Sequence, residues 1–223
     1  GIKINRLEGG EDQLLQRIKS EGANSPADVF LTVDAGRLWL ADQEGVFAPV
    51  QSKVLNERIP AAYRLASNTW YGLSSRARVM VVDKLKVKPG EITSYEDLAD
   101  PKWKGQVCTR SGSHVYMLSL ISSIIEHAGA EKAEAWAKGV VANLARPPKG
   151  GDTDQVKAVA AGECAVALSN SYYLARMIKS DKADDRTAME RVRVVWPNTN
   201  GRGVHMNVSG GGVLKYAPNR DNA

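Results

Sequence analysis

The chain is short of the residues that most metal sites and nucleic-acid interfaces rely on. It has two cysteines, Cys108 and Cys164, which excludes a disulfide-dense small domain and an all-thiolate zinc cage. Its three histidines, His114, His127 and His205, stand far apart and form no HExxH-type pair. Aromatic residues make up only 6%, and no run of lysine and arginine exceeds two residues, so no nucleic-acid partner is expected. No apolar stretch approaches the length that crosses a bilayer. The GxSxG elbow, the P-loop and a GxGxxG following a strand are also missing.

The rest of the composition is that of a globular protein. Hydrophobic residues are 43% and charged residues 25% of 223, enough apolar surface to offset chain entropy. That length suits one large domain or two small lobes. The net charge of +5 comes from interspersed residues and reads as a basic, solvated surface. Gly1-Ile2-Lys3-Ile4-Asn5-Arg6-Leu7 alternates like a half-buried strand, with no signal peptide before it. At the other end, Pro218-Asn219 is a helix-entry signal with no helix after it. Both ends read as those of a fragment.

Strands and helices alternate along the chain, the α/β signature. Leu14, Leu15 and Ile18 have helical spacing, and Gly22 stops that helix. The apolar run Ala27–Val33 predicts a buried strand ending at Asp34, a cap for the next helix. Trp70–Asp83 is long for one strand and reads as two, or as one that crosses between lobes. A second series follows: strand Gln106–Arg110, helices Tyr116–Gly129 and Ala130–Val141, a strand near Leu144, helix Thr153–Ala161, strand Cys164–Ser169 and helix Tyr172–Ile178. Arg191–Pro197 alternates as a further strand, and the glycine-rich Val208–Lys215 reads as a return crossing. Two α/β lobes joined by crossing strands are the plan of a two-lobe solute-binding protein.

Ligands of α/β sheets bind beyond the carboxyl ends of strands. Tyr172 and Tyr173 follow one such strand directly, with Asn170 and Ser171 as polar neighbours and a possible cap. Tyr116 has a similar place after the strand ending at Arg110. Three phenols can therefore converge. A phenol ionises near pH 10 and is normally neutral, but a hard trivalent cation can hold it as phenolate. Aromatic packing is the alternative for an isolated Tyr-Tyr pair. Ser111-Gly112-Ser113 at a helix N-terminus offers either an anion seat or simple turn chemistry. Asp152-Thr153 reads as a helix cap.

Several segments resemble the periplasmic ferric-ion-binding proteins of bacterial ABC importers, in their tyrosine-rich, cyanobacterial-like branch. They include Ala23-Asn24-Ser25-Pro26-Ala27-Asp28-Val29, Asp34-Ala35-Gly36-Arg37-Leu38-Trp39 and Arg76-Ala77-Arg78-Val79. The likeness continues through Asp100-Pro101-Lys102-Trp103-Lys104-Gly105, Ala167-Leu168-Ser169-Asn170-Ser171-Tyr172-Tyr173 and Gly201-Arg202-Gly203-Val204-His205-Met206.

The resemblance implies an α/β, two-lobe, type 2 periplasmic-binding-protein architecture with hinge-crossing strands. Residues 1–75 would form a first lobe, 76–205 a second lobe with the tyrosines, and 206–223 a return crossing. It implies Fe3+ in the interlobe cleft on Tyr116, Tyr172 and Tyr173, with a carbonate-like anion as a possible companion. It also implies delivery to an ABC permease of the inner membrane, a periplasmic location and a monomeric full-length protein. The family's His-Tyr ligands on the first strand would lie before Gly1. Arg76, Arg176, Ser111, Gly112, Ser113 and Asn170 would support the metal or an anion. Arg76 is placed on the site side of its strand and Arg78 on the opposite side.

In the lobe topology so implied, the strands of Cys108 and Cys164 are parallel neighbours at similar height. Such strands lie about 4.8 Å apart, within reach of a disulfide. Buried free thiols are the alternative. A solute-binding protein for an oxyanion or small organic ligand is the competing function. A hydrolase or transferase pairing His205 with Ser113 or Ser209 has no motif behind it, and the chain is read as non-enzymatic.

Overall fold

The computed structural model describes residues 1–223, the side chain of Glu11 excepted. In chain order the elements are α1 (Glu11–Glu21), β1 (Val29–Val33), α2 (Ala35–Gln43), α3 (Lys53–Arg58) and β2 (Tyr71–Asp83). Then come β3 (Val107–Cys108), α4 (Val115–Ala128), α5 (Ala130–Ala142), α6 (Asp152–Ala160), β4 (Val166–Asn170) and α7 (Ser171–Ile178). The last are α8 (Ala183–Arg191), β5 (Val192–Val195) and β6 (Met206–Val213). The chain forms two compact units, Gly1–Ser75 with Asn207–Ala223, and Arg76–Met206.

In the first unit, β1 runs antiparallel to β6, with Val29 opposite Val213 and Val33 opposite Ser209. None of the three glycines of β6, Gly210, Gly211 and Gly212, has room for a side chain. A Cβ on Gly210 would lie 2.0 Å from the Tyr71 carbonyl oxygen, and one on Gly211 would lie 2.4 Å from that of Phe30. The glycine-rich run is thus a packing requirement. Asp34 caps α2, its carboxylate accepting the Gly36 N–H at 3.0 Å. Leu15, Phe30, Leu38, Phe47 and Trp70 fill the core.

The expected opening strand does not form. Residues 1–10 carry no regular structure, and Ile2, Ile4 and Leu7 are exposed. Alternation supplies one apolar face, but a strand also needs a partner for its backbone groups, and none pairs with this segment among the described residues.

The second unit is built around the later part of β2. It runs antiparallel to β4 on one side and to β5 on the other, and β3 joins β4 in parallel. Both faces of this sheet are covered, which explains the near-continuous apolar sequence of β2 and β4. Met80, Val82, Val166 and Leu168 pack with Leu120 and Ile124 of α4 and Trp136 of α5. On the other face, Val79, Val81 and Ala167 meet Val156 and Val159 of α6 with Leu174 and Met177 of α7. Side chains two apart share a face, so one strand feeds both cores. β2 is a single strand of 13 residues. Leu144 makes only an isolated bridge to Val107. The helices α3 and α8 were not foreseen. Their surfaces are mostly polar and give little helical periodicity.

Cys108 and Cys164 form a disulfide with Cα atoms 5.9 Å apart. Cys108 lies opposite Ala167, so Cys164 sits before the start of β4 and is not level with Cys108 as the sequence reading had it. The Gln106 carbonyl accepts the Ala165 and Val166 N–H groups, which brings the approach to β4 against β3.

The bridge closes a loop with a sequence separation of 56, worth about 4 kcal/mol in the chain-entropy model. Denaturing, non-reducing thiol titration should find no reactive thiol from this pair. The Cys108→Ala/Cys164→Ala double variant should lose about 4 kcal/mol in urea unfolding. Two reactive thiols per chain would contradict the bridge.

Candidate metal centre

The topology gathers the phenols. β3 and β4 are parallel, so the segments leaving their carboxyl ends emerge at the same edge of the sheet. One leads to α4 with Tyr116 in its first turn, the other to α7 with Tyr172 and Tyr173 in its first turn. β2 is antiparallel and enters at this edge, where Arg78 pairs with Asn170.

The hydroxyls of Tyr116 and Tyr172 lie 3.0 Å apart. The Tyr173 ring stacks on Tyr172, with centroids 4.4 Å apart and planes at 29°. Tyr116 is buried, and the other two are half-buried. Around the Tyr116 ring stand the guanidiniums of Arg110 at 4.9 Å, Arg76 at 5.5 Å and Arg78 at 5.9 Å from its centroid. Cations over an aromatic face are attracted by its quadrupole.

Beneath them lies Asp152, which has no exposed surface. Its Oδ2 accepts from Arg78 Nη1 at 2.5 Å and from the Asn170 backbone N–H at 2.7 Å. Its Oδ1 accepts from Arg110 Nη1 at 3.1 Å. Two guanidiniums, Arg78 and Arg110, share this one carboxylate. Three buried N–H donors here, Arg78 Nε, Arg110 Nε and Asn170 Nδ2, have no acceptor among the described residues.

Burial pushes the Tyr173 phenol up to about 12, with the Tyr172 hydroxyl beside it adding to the rise. Burial also raises Tyr116 and Tyr172 above the usual phenol value. Without a cation these groups hold their protons.

The remaining expected residues divide. Asn170 belongs to the cluster, its Oδ1 accepting from Arg78 Nη1 at 3.1 Å. Arg176 is exposed and makes no hydrogen bond or ion pair among the described residues. Ser111, Gly112 and Ser113 are exposed, and the two serine hydroxyls bond to each other at 2.8 Å. His114 is the residue that caps α4, its Nδ1 accepting the Tyr116 N–H at 3.2 Å. It is half-buried and meets the Tyr116 ring edge-on at 4.5 Å.

Arg78, Arg110 and Asp152 were missed. Arg78 had been turned away from the site, but strand residues two apart share a face. That rule, with Arg76 already placed there, was the available signal. Asp152 is the first residue of α6 and not its cap, which is Gly151. A lone Asp before a helix gives no sign that two distant arginines will claim it.

The model of the bacterial extracellular solute-binding protein family matches residues 24–204. The chain belongs to this family. Among curated solute-binding relatives, it is 52% identical over its whole length to "Iron uptake protein A1" of Synechocystis sp., and spans 62% of that protein. A Trichodesmium protein solved in complex with iron and citrate is 55% identical, with a TM-score of 0.93 over 98% of this chain and 69% of that one. The ferric binding protein of Campylobacter jejuni is 39% identical, with a TM-score of 0.96 over 100% of this chain and 71% of its own. The fold is therefore the two-lobe type 2 solute-binding architecture that the resemblance implied.

In the metal-free protein, ultraviolet titration should show these phenols ionising above pH 10, with Tyr173 at about 12. Unfolded tyrosines ionise near 10, so the folded state holds these protons more tightly. Their contribution to stability is therefore full below pH 10 and is lost as pH rises through their raised folded-state values, about 12 for Tyr173. Tyr173→Phe should shrink that loss. Ionisation of every tyrosine near pH 10 would contradict the burial.

Proposed function

We propose that the protein captures ferric iron on the phenolates of Tyr116, Tyr172 and Tyr173. It acts in the periplasm as the monomeric solute-binding component of an importer and hands the ion to an ABC permease of the inner membrane. The observation that carries this reading is the 3.0 Å between the Tyr116 and Tyr172 oxygens. Two neighbouring donors on a small hard octahedral cation, with bonds of about 2.0–2.1 Å, lie about 2.9 Å apart. The two oxygens therefore already have the spacing of neighbouring ligands.

The donor chemistry agrees. Among the described residues no group of three or more His, Cys, Asp or Glu side chains gathers to offer another metal site. Phenolates are hard anionic oxygen donors, suited to a trivalent ion. The ion would displace the phenol protons, and the surrounding guanidiniums would offset the phenolate charge. The unmatched arginine N–H groups also suit a carbonate- or carboxylate-like anion beside the ion. The printed names of the relatives, an iron uptake protein and a protein complexed with iron and citrate, support the same choice of solute. No helix of the described residues is long and apolar enough to cross a membrane.

In the full-length protein, Tyr172→Phe and Tyr173→Phe should each weaken ferric binding at least about tenfold, the scale of losing a supporting group at a metal site. Each should also shift the visible phenolate-to-iron absorption. Unchanged affinity and spectrum in both variants would overturn the ligand assignment. Iron should also leave on acidification, because protons compete for phenolate. Full occupancy down to about pH 4, the carboxylate range, would argue against phenolate ligands.

A further inference from the structure

The Asp152 carboxylate is bonded to each of the three segments that surround the phenols. Through Arg78 Nη1 it holds β2, through Arg110 Nη1 the segment between β3 and α4, and through the Asn170 N–H the junction of β4 with α7. Tyr116 follows the second of these segments, and Tyr172 and Tyr173 follow the third. Arg78 and Arg110, the two side chains Asp152 holds, are also two of the three that lie over the Tyr116 ring. Asp152 has no exposed surface, and both its oxygens are taken by N–H donors. It is therefore not available as a ligand itself.

We propose that Asp152 is a positioning residue for ferric capture, fixing Tyr116 against Tyr172 and Tyr173 through Arg110, Arg78 and the Asn170 amide. This rests on the iron reading above. The spacing of the phenol oxygens is set before the ion arrives, so binding does not have to order them. Arg110 acts through Asp152. Freed from it, the guanidinium keeps only its attraction to the face of the Tyr116 ring, a weaker hold than the ion pair.

The test uses Asp152→Asn, Arg110→Gln and the double variant of the full-length protein, with Tyr172→Phe alongside. Ferric affinity should fall about 10–100-fold in each single variant, as for other groups that orient metal ligands. The visible absorption per bound iron should change with it. The double variant should be no worse than Asp152→Asn alone, because the two residues form one unit.

A second readout needs no iron. In tyrosine-ring-labelled, metal-free Asp152→Asn protein, the NMR signals of Tyr116, Tyr172 and Tyr173 should all move, while those of Tyr63 and Tyr216 stay. If Asp152→Asn fails to melt cooperatively, the partly exposed Arg110→Gln decides by the same two readouts. Loss of iron in Tyr172→Phe, with unchanged affinity, absorption and tyrosine signals in Asp152→Asn and Arg110→Gln, would overturn the positioning role alone. Unchanged binding in Tyr172→Phe would overturn the iron reading instead, and the NMR result would still judge Asp152.

Discussion

One buried carboxylate between two guanidiniums holds the tyrosine edge of this protein together. Asp152 meets Arg78 and Arg110 with side chains 0%, 2% and 12% exposed. At such burial the charges are little screened, and removing one partner of a buried pair typically costs about 3–5 kcal/mol. The position of Asp152 at the start of α6 assists, because a helix N-terminus favours negative charge. The sheet assists as well. The register that sets Arg78 opposite Asn170 brings the arginine to the strand end from which α7 departs. The Tyr95 hydroxyl also donates to the Arg78 carbonyl, tying the same point of β2 to the core beneath.

Above this scaffold the phenols are in a strained chemical position without being badly packed. Burial favours their neutral form, while the guanidiniums and the unmatched N–H donors favour negative charge at the same place. A trivalent cation reconciles the two, because it replaces the protons and gives the phenolates a partner. The arrangement therefore suits an occupant that brings concentrated positive charge of its own. It suits less well a neutral organic solute, for which buried arginines and unmatched donors would be a desolvation burden.

Much of this was legible in the sequence, for identifiable reasons. The β4 strand and the tyrosine pair after it could be placed because an apolar run running straight into a helix puts the next residues at the ligand edge. Arg76 was placed by the family resemblance. Arg78 was within reach by strand alternation and was misassigned. Arg110 and Asp152 were not within reach, because their pairing joins residues 42 apart that no local pattern connects. The opening Ile2–Leu7 alternation failed in the opposite way, since a correct local pattern found no neighbour to pair with. Arg176 lies exposed on α7, where helical spacing gives a face but not what that face meets. Local chemistry was readable where one element decided it, and unreadable where two distant elements had to meet.

The most direct test of the account is a crystal structure of the full-length protein loaded with ferric iron, with diffraction measured at the iron absorption edge. The account predicts one anomalous peak at bonding distance from the hydroxyl oxygens of Tyr116, Tyr172 and Tyr173. An iron peak elsewhere in the protein, with the Tyr116 and Tyr172 hydroxyls still hydrogen-bonded to each other, would contradict it.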